Sequence, residues 1–328
     1  LLRDGGRLVA AVPAWARPDS HGDFGRDEEL AVAAQRAGLQ WYPKLVVGVP
    51  FTPSTGRRFL VAQGEDRAAR VAQLTDALRA LCAAEEIRGI HVLFLDAEEA
   101  RELEAAGFAL RVDFQFHWRN EGYRSFEEFL ARFGSRRRNT IRRELAEPGR
   151  RGISIRTVRG EELARDAERW AHDCFGLHRA AVERLPFGVR FVNVSFYERV
   201  VATMADAVEV VEARREGRLI AMALNFASAT RLHGRYWGAA EEHPFLHFNV
   251  ALYHSIGECI RRGVATFEPG AGGEHKLARG FDPVETWSAA LLLEPGLDAA
   301  VRAFLATETP QRRAALLRWR EEHPRLGG

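Results

Sequence analysis

Hydrophobic positions along this chain follow two periods. In residues 68–85 and 248–262 they recur three and four apart, the spacing of a helix with one buried stripe. In "GIHVLFLD" and "ALRVDFQFHWRN" they run continuously or at every second place, as in buried and half-buried strands, and in the second stretch Phe114, Phe116 and Trp118 share one face. The same reading gives an opening hairpin across "LLRDGGRLVAAVPAW", a helix over 27–38 ended by glycine, a buried strand in "KLVVGVPFTP" and a helix over 97–106 stopped by Gly107. Ser125 caps a helix reaching Phe133, and Ser135 starts another, "SRRRNTIRREL", that runs out at Pro148-Gly149.

A comparable succession follows. It consists of the strand "RGISIRTV", a helix over 161–173, a loop over 175–192, a helix over 195–205, and three hairpin-connected strands, "VEVVEARR", "RLIAMALNFAS" and "RLHGRYWGA". The helix 248–262, the strand "ATFEPG", a glycine-rich loop, the strand "TWSAALLLE" and a tail helix over 297–322 complete it. This is an α/β (α+β) order on mixed sheets, present twice, with the division expected between 1–149 and 150–328. Because the chain opens directly in a hairpin, the first unit is expected to lack its N-terminal part.

Composition narrows the partners. The 328 residues carry a formal net charge of +2, so no overall field draws the protein to nucleic acid or membrane, and any such binding has to come from a local patch. Cys82, Cys174 and Cys259 are odd in number and scattered through apolar stretches, which speaks against a disulfide framework and a zinc cluster and for a reduced cytosolic setting. No uncharged apolar run reaches the roughly eighteen residues of a spanning helix. Lys44 and Lys276 are the only lysines; 47 basic residues less two leaves 45 arginines. A lysine surviving in such a chain hints at a need for a compact ammonium.

Several stretches carry a resemblance. The element order resembles the GNAT acetyltransferase fold, and two such units in tandem resemble the Fem family of aminoacyl transferases. "SRRRNTIRRELAEPGRRGISI" resembles the basic helix that closes the first Fem unit and leads into the second. "REGRLIAMALNFAS" with "HGRYWGA" resembles the family's central hairpin, and "GEHKLARGF" its closing Lys-x-x-x-Gly-Phe, carried here by Lys276, Gly280 and Phe281. The finer likeness, through "YPKLVVGVPFTPSTGRRFLV", "FQFHWRNEGYRSFEEFLARF", "RYWGAAEEHPFLHF" and "FEPGAGGEHKLARGF", is to a FemAB-like branch often labelled peptidoglycan biosynthesis or recognition, and it covers nearly the whole chain. One departure is Asn249, where the resemblance leads one to expect an acidic residue after His-Phe.

The resemblance implies tandem GNAT-like, Fem-type units and an amide-forming N-acyltransferase. Its donor would be acyl-CoA or aminoacyl-tRNA as co-substrate, with no tightly bound cofactor and no metal, and its acceptor a primary amine of a cell-envelope or lipid molecule. It further implies direct attack with no covalent intermediate, and a donor carbonyl held where two parallel strands splay apart; "RYWGA" and "ATFEPG" are the candidates. Transfer RNA and a peripheral membrane surface are candidate partners, and a cytoplasmic location, with the inner face of the membrane as one site, is expected. A non-catalytic GNAT-fold protein that binds an anionic ligand is the alternative.

Candidate site residues follow from their chemistry. Gly270, Gly272 and Gly273 can bring backbone N–H groups to a phosphate or carboxylate, with Lys276 adding a point charge. His275 titrates near neutrality and can take the acceptor's proton, with Glu268 or Glu274 orienting it or holding the ammonium; a solvated Glu-His pair is the plainer reading. His117 and Trp118 end a strand where a cleft can receive them, although a packed histidine fits equally well. Tyr236, Trp237 and Arg279 are placed with the substrate. Arg138 and Arg142 share a helical face that can grip RNA phosphates, a CoA pyrophosphate or anionic headgroups, or simply be solvated. His243 and His247, four apart, invite a zinc reading, against which Pro244 marks a first helical turn.

Overall fold

The computed structural model describes residues 1–186 and 188–322, and of Glu274 and Glu322 the backbone alone. The described residues divide into two compact units, Leu1–Gln115 with Val284–Trp319, and Phe116–Pro283 with the residues from Arg320 onward. This line differs from the expected break at 149.

In the first unit the elements are β1 (Leu2–Asp4), β2 (Arg7–Ala11), β3 (Ala14–Arg17), α1 (Glu28–Arg36), β4 (Lys44–Val47), β5 (Leu60–Val61), α2 (Arg67–Ala84), β6 (Gly89–Leu95), α3 (Ala97–Ala105) and the larger part of β7 (Ala109–Arg119). A small sheet runs β1-β2-β5, and a mixed one runs β3-β4-β6 and onward. All seven residues of β6 are buried, so it needs a ladder on both edges. On one edge β4 pairs parallel, Leu45 with Ile90 and Val47 with Val92. On the other lies the strand expected to close the second unit, Asp282–Leu292, antiparallel with Ala289 opposite Val92 and Leu291 opposite Ile90. Burial of β6 thus explains why the chain returns to its first unit, a long-range pairing that local periodicity does not encode. The core here includes Phe59, Leu74, Leu78, Ile90, Leu103 and Phe108.

Lys44 opens β4 as a fully buried residue, at 0% exposure. Its Nζ donates to Ser20 Oγ at 2.7 Å and Asp27 Oδ2 at 2.8 Å and lies 3.0 Å from Asp23 Oδ2. Trp41 Nε1 donates to the same Asp27 oxygen at 3.0 Å. Burial alone would raise the Asp27 pKa, but the Lys44 charge and the hydrogen bonds from Lys44 and Ser20 outweigh it and hold the carboxyl at about 2.

In the second unit follow α4 (Phe126–Ala131), α5 (Ser135–Arg150), β8 (Ile153–Arg159), α6 (Glu161–Arg165), α7 (Ala167–Glu183), α8 (Val194–Thr203), β9 (Val208–Arg215), β10 (Arg218–Ala227), β11 (Arg231–Ala239), α9 (Leu246–Phe248), a π-helical turn at Asn249–Tyr253, α10 (His254–Arg262), β12 (Thr266–Glu268) and a 3₁₀ turn at Glu274–Arg279. Ser125 caps α4 as expected, accepting from the Glu128 N–H. The stretch 175–192 is a helix as far as Glu183. Trp170, Ala171, Cys174 and Leu177 continue one buried stripe through it, and the polar residues between them hide that stripe in the sequence.

Helix α5 likewise does not stop at Pro148-Gly149 but runs through to Arg150. Pro148 has no N–H to give to the carbonyl of Glu144, four residues back. Asn249 Nδ2 donates to that carbonyl instead, at 2.8 Å, and also to Phe245 O at 3.0 Å. An ionised carboxylate has no hydrogen to donate, so an amide at position 249 meets a need that the expected acidic residue could not.

Candidate active site

The order β8, β9, β10, β11, crossover helix, β12 gives the second unit an antiparallel sheet that turns parallel at its centre. β10 pairs antiparallel with β9 and β11, and β11 pairs parallel with β12. Opposite β10, Leu224 faces Tyr236 and Asn225 faces Gly234, so Arg235 is an extra residue in β11, a bulge that bends the strand. The parallel pairing is short: Arg231 with Thr266, Leu232 with Phe267, His233 with Glu268. The ladder ends at that last pair, in the strands "RYWGA" and "ATFEPG" where the splay is expected. Gly234 stands just past its end, where a Cβ would lie 3.2 Å from the Phe267 ring and 3.3 Å from Pro269 Cα, so the two chains pass closely and a side chain there would push its neighbours back.

Glu268 ends β12 at 2% exposure. Its Oε1 accepts from Arg231 Nη1 at 2.9 Å. Its Oε2 lies 3.6 Å from His233 Nδ1 and 3.9 Å from His117 Nε2, too far for hydrogen bonds between them and close enough for the charge to act on both rings. Burial presses the His117 pKa down to about 4, against the pull of Glu268, so the ring is neutral at working pH. The fold thus gathers two of the expected residues, Glu268 and His117, with two that sequence reasoning passed over, His233 and Arg231. The missed pair lies on β11, and only its parallel register with β12 brings both to Glu268.

Lys276 is placed otherwise than as a charge awaiting an anion. At 5% exposure its Nζ donates to Gly270 O at 2.8 Å and lies 3.4 Å from Ala271 O and 3.5 Å from Pro269 O. Gly270, Gly272 and Gly273 all have positive φ, and the loop they permit turns carbonyl oxygens toward the ammonium. The loop is tied through its acceptors, which reverses the expected anion cradle. Burial lowers the Lys276 pKa to about 8, leaving the group mostly protonated at neutral pH.

The remaining expected residues separate. His275 does not meet Glu268; its ring lies 5.4 Å from that of Phe248 and 6.3 Å from that of His247, and it packs back on Gly273, where a Cβ would sit 2.6 Å from it. The side chain of Glu274 lies outside the described residues. Arg279 is committed to structure: it grips Glu144 at 3.0 and 3.2 Å, donates to His275 O at 2.8 Å and stacks 3.4 Å over Phe248, while Tyr253 Oη donates to Glu144 at 2.6 Å. Trp118 is fully buried among Tyr123 and Phe129, on the opposite face of β7 from His117.

Tyr236 is buried in an aromatic cluster with His178, Phe196 and Tyr197, whereas Trp237, on the other face of β11, meets His247 at 4.9 Å. On α5, Arg142 pairs with Glu127 at 2.7 Å and Arg138 is half-buried. His243 bonds to Glu241 at 3.0 Å.

Buried neutral histidines make the fold acid-sensitive. Burial holds His91 at about 3 and His117 and His247 at about 4. Below pH 6.5 the unfolded chain takes up protons that the native rings refuse, so stability is lost as pH falls from 6.5 toward 4, by on the order of 1.4 kcal/mol per pH unit for each ring. Urea unfolding at pH 7, 6, 5 and 4 should show a falling midpoint, with a shallower fall in His91→Phe; a midpoint constant from pH 7 to 4 contradicts this.

A sequence model of the FemAB-like family, described as peptidoglycan biosynthesis/recognition, matches residues 1–325. No curated protein matches by sequence. Among solved structures, L-PGS from Bacillus licheniformis is similar at a TM-score of 0.54 and 9% identity, covering 82% of this chain and 83% of its own. FemX is similar at 0.51 and 12%, covering 80% and 84%. The C-terminal domain assigned to a lysylphosphatidylglycerol synthetase from Agrobacterium fabrum gives 0.52 and 12%, covering 79% and 80%. These are likenesses of fold, and they bear out the tandem GNAT-like, Fem-type architecture.

Proposed function

The chain belongs to the FemAB-like family, and from that premise we propose that it is an N-acyltransferase that moves an acyl or aminoacyl group onto a primary amine of a cell-envelope or lipid acceptor. The observation that carries the reading is the buried Glu268 carboxylate at the end of the β11–β12 ladder, with His233 and His117 both within 4 Å of its Oε2. An acceptor amine reaches such a site as an ammonium and must lose a proton before it can attack. A carboxylate beside two imidazoles, of which burial holds His117 neutral, attracts that ammonium and receives the proton directly or through His233. The amine nitrogen then bonds to the donor carbonyl carbon while the carbon–sulfur bond of a thioester, or the carbon–oxygen bond of an aminoacyl ester, breaks; the leaving thiol or hydroxyl carries away a proton. Cys82, Cys174 and Cys259 are all buried, and burial pushes the pKa of each thiol up, to about 11 for Cys82 and about 12 for Cys259, which supports direct attack over a cysteine-linked intermediate.

Two donors satisfy this scheme, acyl-CoA and aminoacyl-tRNA. Purified protein is incubated with each, with and without a panel of lipid and peptidoglycan-precursor amines, and thiol release, tRNA deacylation and the new amide are followed. Amine-dependent turnover of one donor is expected. Neither donor consumed with any amine would leave the non-catalytic binding reading in its place.

A further inference from the structure

Four aromatic rings meet on the stretch of β11 beyond its ladder with β12 and on the segments after each strand. Trp237 and His247 lie 4.9 Å apart, His247 and Phe248 5.5 Å, and His275 completes the group at 5.4 Å from Phe248. They come from β11, from the helical run after it and from the turn after β12, so the fold assembles them and no sequence run does. Trp237 packs against the core beneath β11, whereas His247 and Phe248 are half-buried and His275 is exposed, so the group is core on one side and open to solvent on the other. Among the described residues, no ring nitrogen of His247 or His275 has a hydrogen-bond partner. Burial first, then the charges of His275, Lys276 and Arg279, holds the His247 pKa at about 4, so that ring is neutral, and burial with the charges of Lys276 and Arg279 lowers that of His275. Phe248 is backed by the Arg279 guanidinium, which fixes the plane of its ring.

We propose that Trp237, His247, Phe248 and His275 form a platform for the adenine base of the acyl donor, an inference that rests on the transferase reading of the same site. Aromatic faces stack bases, and a neutral imidazole offers one N–H and one lone pair, the complement of adenine's N1 acceptor and N6 amino group. Guanine is read best by a cationic fork, and the nearby guanidinium of Arg279 is already spent on Glu144 and Phe248. Pyrimidines offer less surface to stack. Adenosine is common to coenzyme A and to the 3′ end of transfer RNA, so this chemistry suits either donor.

Calorimetric titration of the whole chain with AMP, GMP and CMP tests it. AMP should bind at least about tenfold more tightly than CMP or GMP, and His275→Ala should weaken AMP binding by about tenfold, in the range set by base stacking, with the melting temperature unchanged. His247→Gln is the second variant and should weaken AMP selectively over CMP. Coenzyme A and a CCA trinucleotide then separate the sources, the tighter of the two naming the donor. Equal affinity for the three nucleotides, or AMP binding untouched in both variants, overturns the platform. Since binding is read without turnover, adenine preference in a protein that transfers nothing sinks the transferase reading alone, and turnover without adenine preference sinks the platform alone.

Discussion

Glu268→Gln should lower amine-dependent transfer by at least about 100-fold, the usual scale of a lost general base, while the protein remains folded. Glutamine keeps the shape of the side chain and a carbonyl oxygen for Arg231 Nη1, which now meets Oε1 at 2.9 Å, but it can neither hold an ammonium nor take its proton. Removing a carboxylate that is 2% exposed also removes the cost of burying its charge, so the melting temperature should move by no more than a few degrees. The kinetic signature separates a chemical role from a structural one. The loss should fall on kcat at saturating acceptor and lessen as the assay pH is raised, because more of the acceptor then arrives already deprotonated. His233→Asn should fall between the wild type and Glu268→Gln, since its Nδ1 stands 3.6 Å from the carboxylate and relays rather than receives. A Glu268→Gln enzyme within fivefold of wild type, or one whose loss is the same at every pH, would remove Glu268 from the chemistry.

Much of this is legible in the sequence. Runs of apolar residues at helical or strand spacing placed β6, β7, α2 and the β9–β11 hairpins, because those elements bury a face dictated by local sequence. The parallel pairing of β11 with β12 is legible because a helix connecting two strands of one sheet leaves few other arrangements. The misses share a cause. The return of Asp282–Leu292 to β6, the Asn249 bond to a carbonyl orphaned by Pro148, and the gathering of His233 and Arg231 at Glu268 are contacts between residues far apart in sequence. At Lys276 the residue was found and its role inverted. Glycines at positive φ permit a loop to present either face, and nothing in "GAGGEHK" says whether N–H or C=O groups will turn inward.

Lys44→Met should destabilise the first unit by about 3–5 kcal/mol, the cost of stripping the partner from buried charge. The reasoning begins with usage. The chain employs arginine at 45 of its 47 basic positions, the 47 less the two lysines, and both lysines are buried, Lys44 at 0% and Lys276 at 5% exposure. Each offers a single nitrogen to three oxygens: Ser20, Asp23 and Asp27 around Lys44, and three loop carbonyls around Lys276. A point ammonium with three donors fits such a cup, and a planar fork with five does not. Lys44→Arg should therefore also destabilise, despite keeping the charge, and by more than 1 kcal/mol, because the larger head must push the Asp27–Trp41 pair apart. Adding Asp27→Asn to Lys44→Met should restore part of the loss, since Asp27 loses its cation with Lys44 whereas Asp23 keeps Arg17 at 3.5 Å, and the double-mutant cycle reads that coupling directly. Amide exchange in residues 44–47 and 89–95 locates the effect in the first unit, with exchange in β9 and β10 as the internal reference. If Lys44→Arg proves as stable as the wild type, the compact ammonium is not what these positions require, and the scarcity of lysine has no structural meaning at position 44.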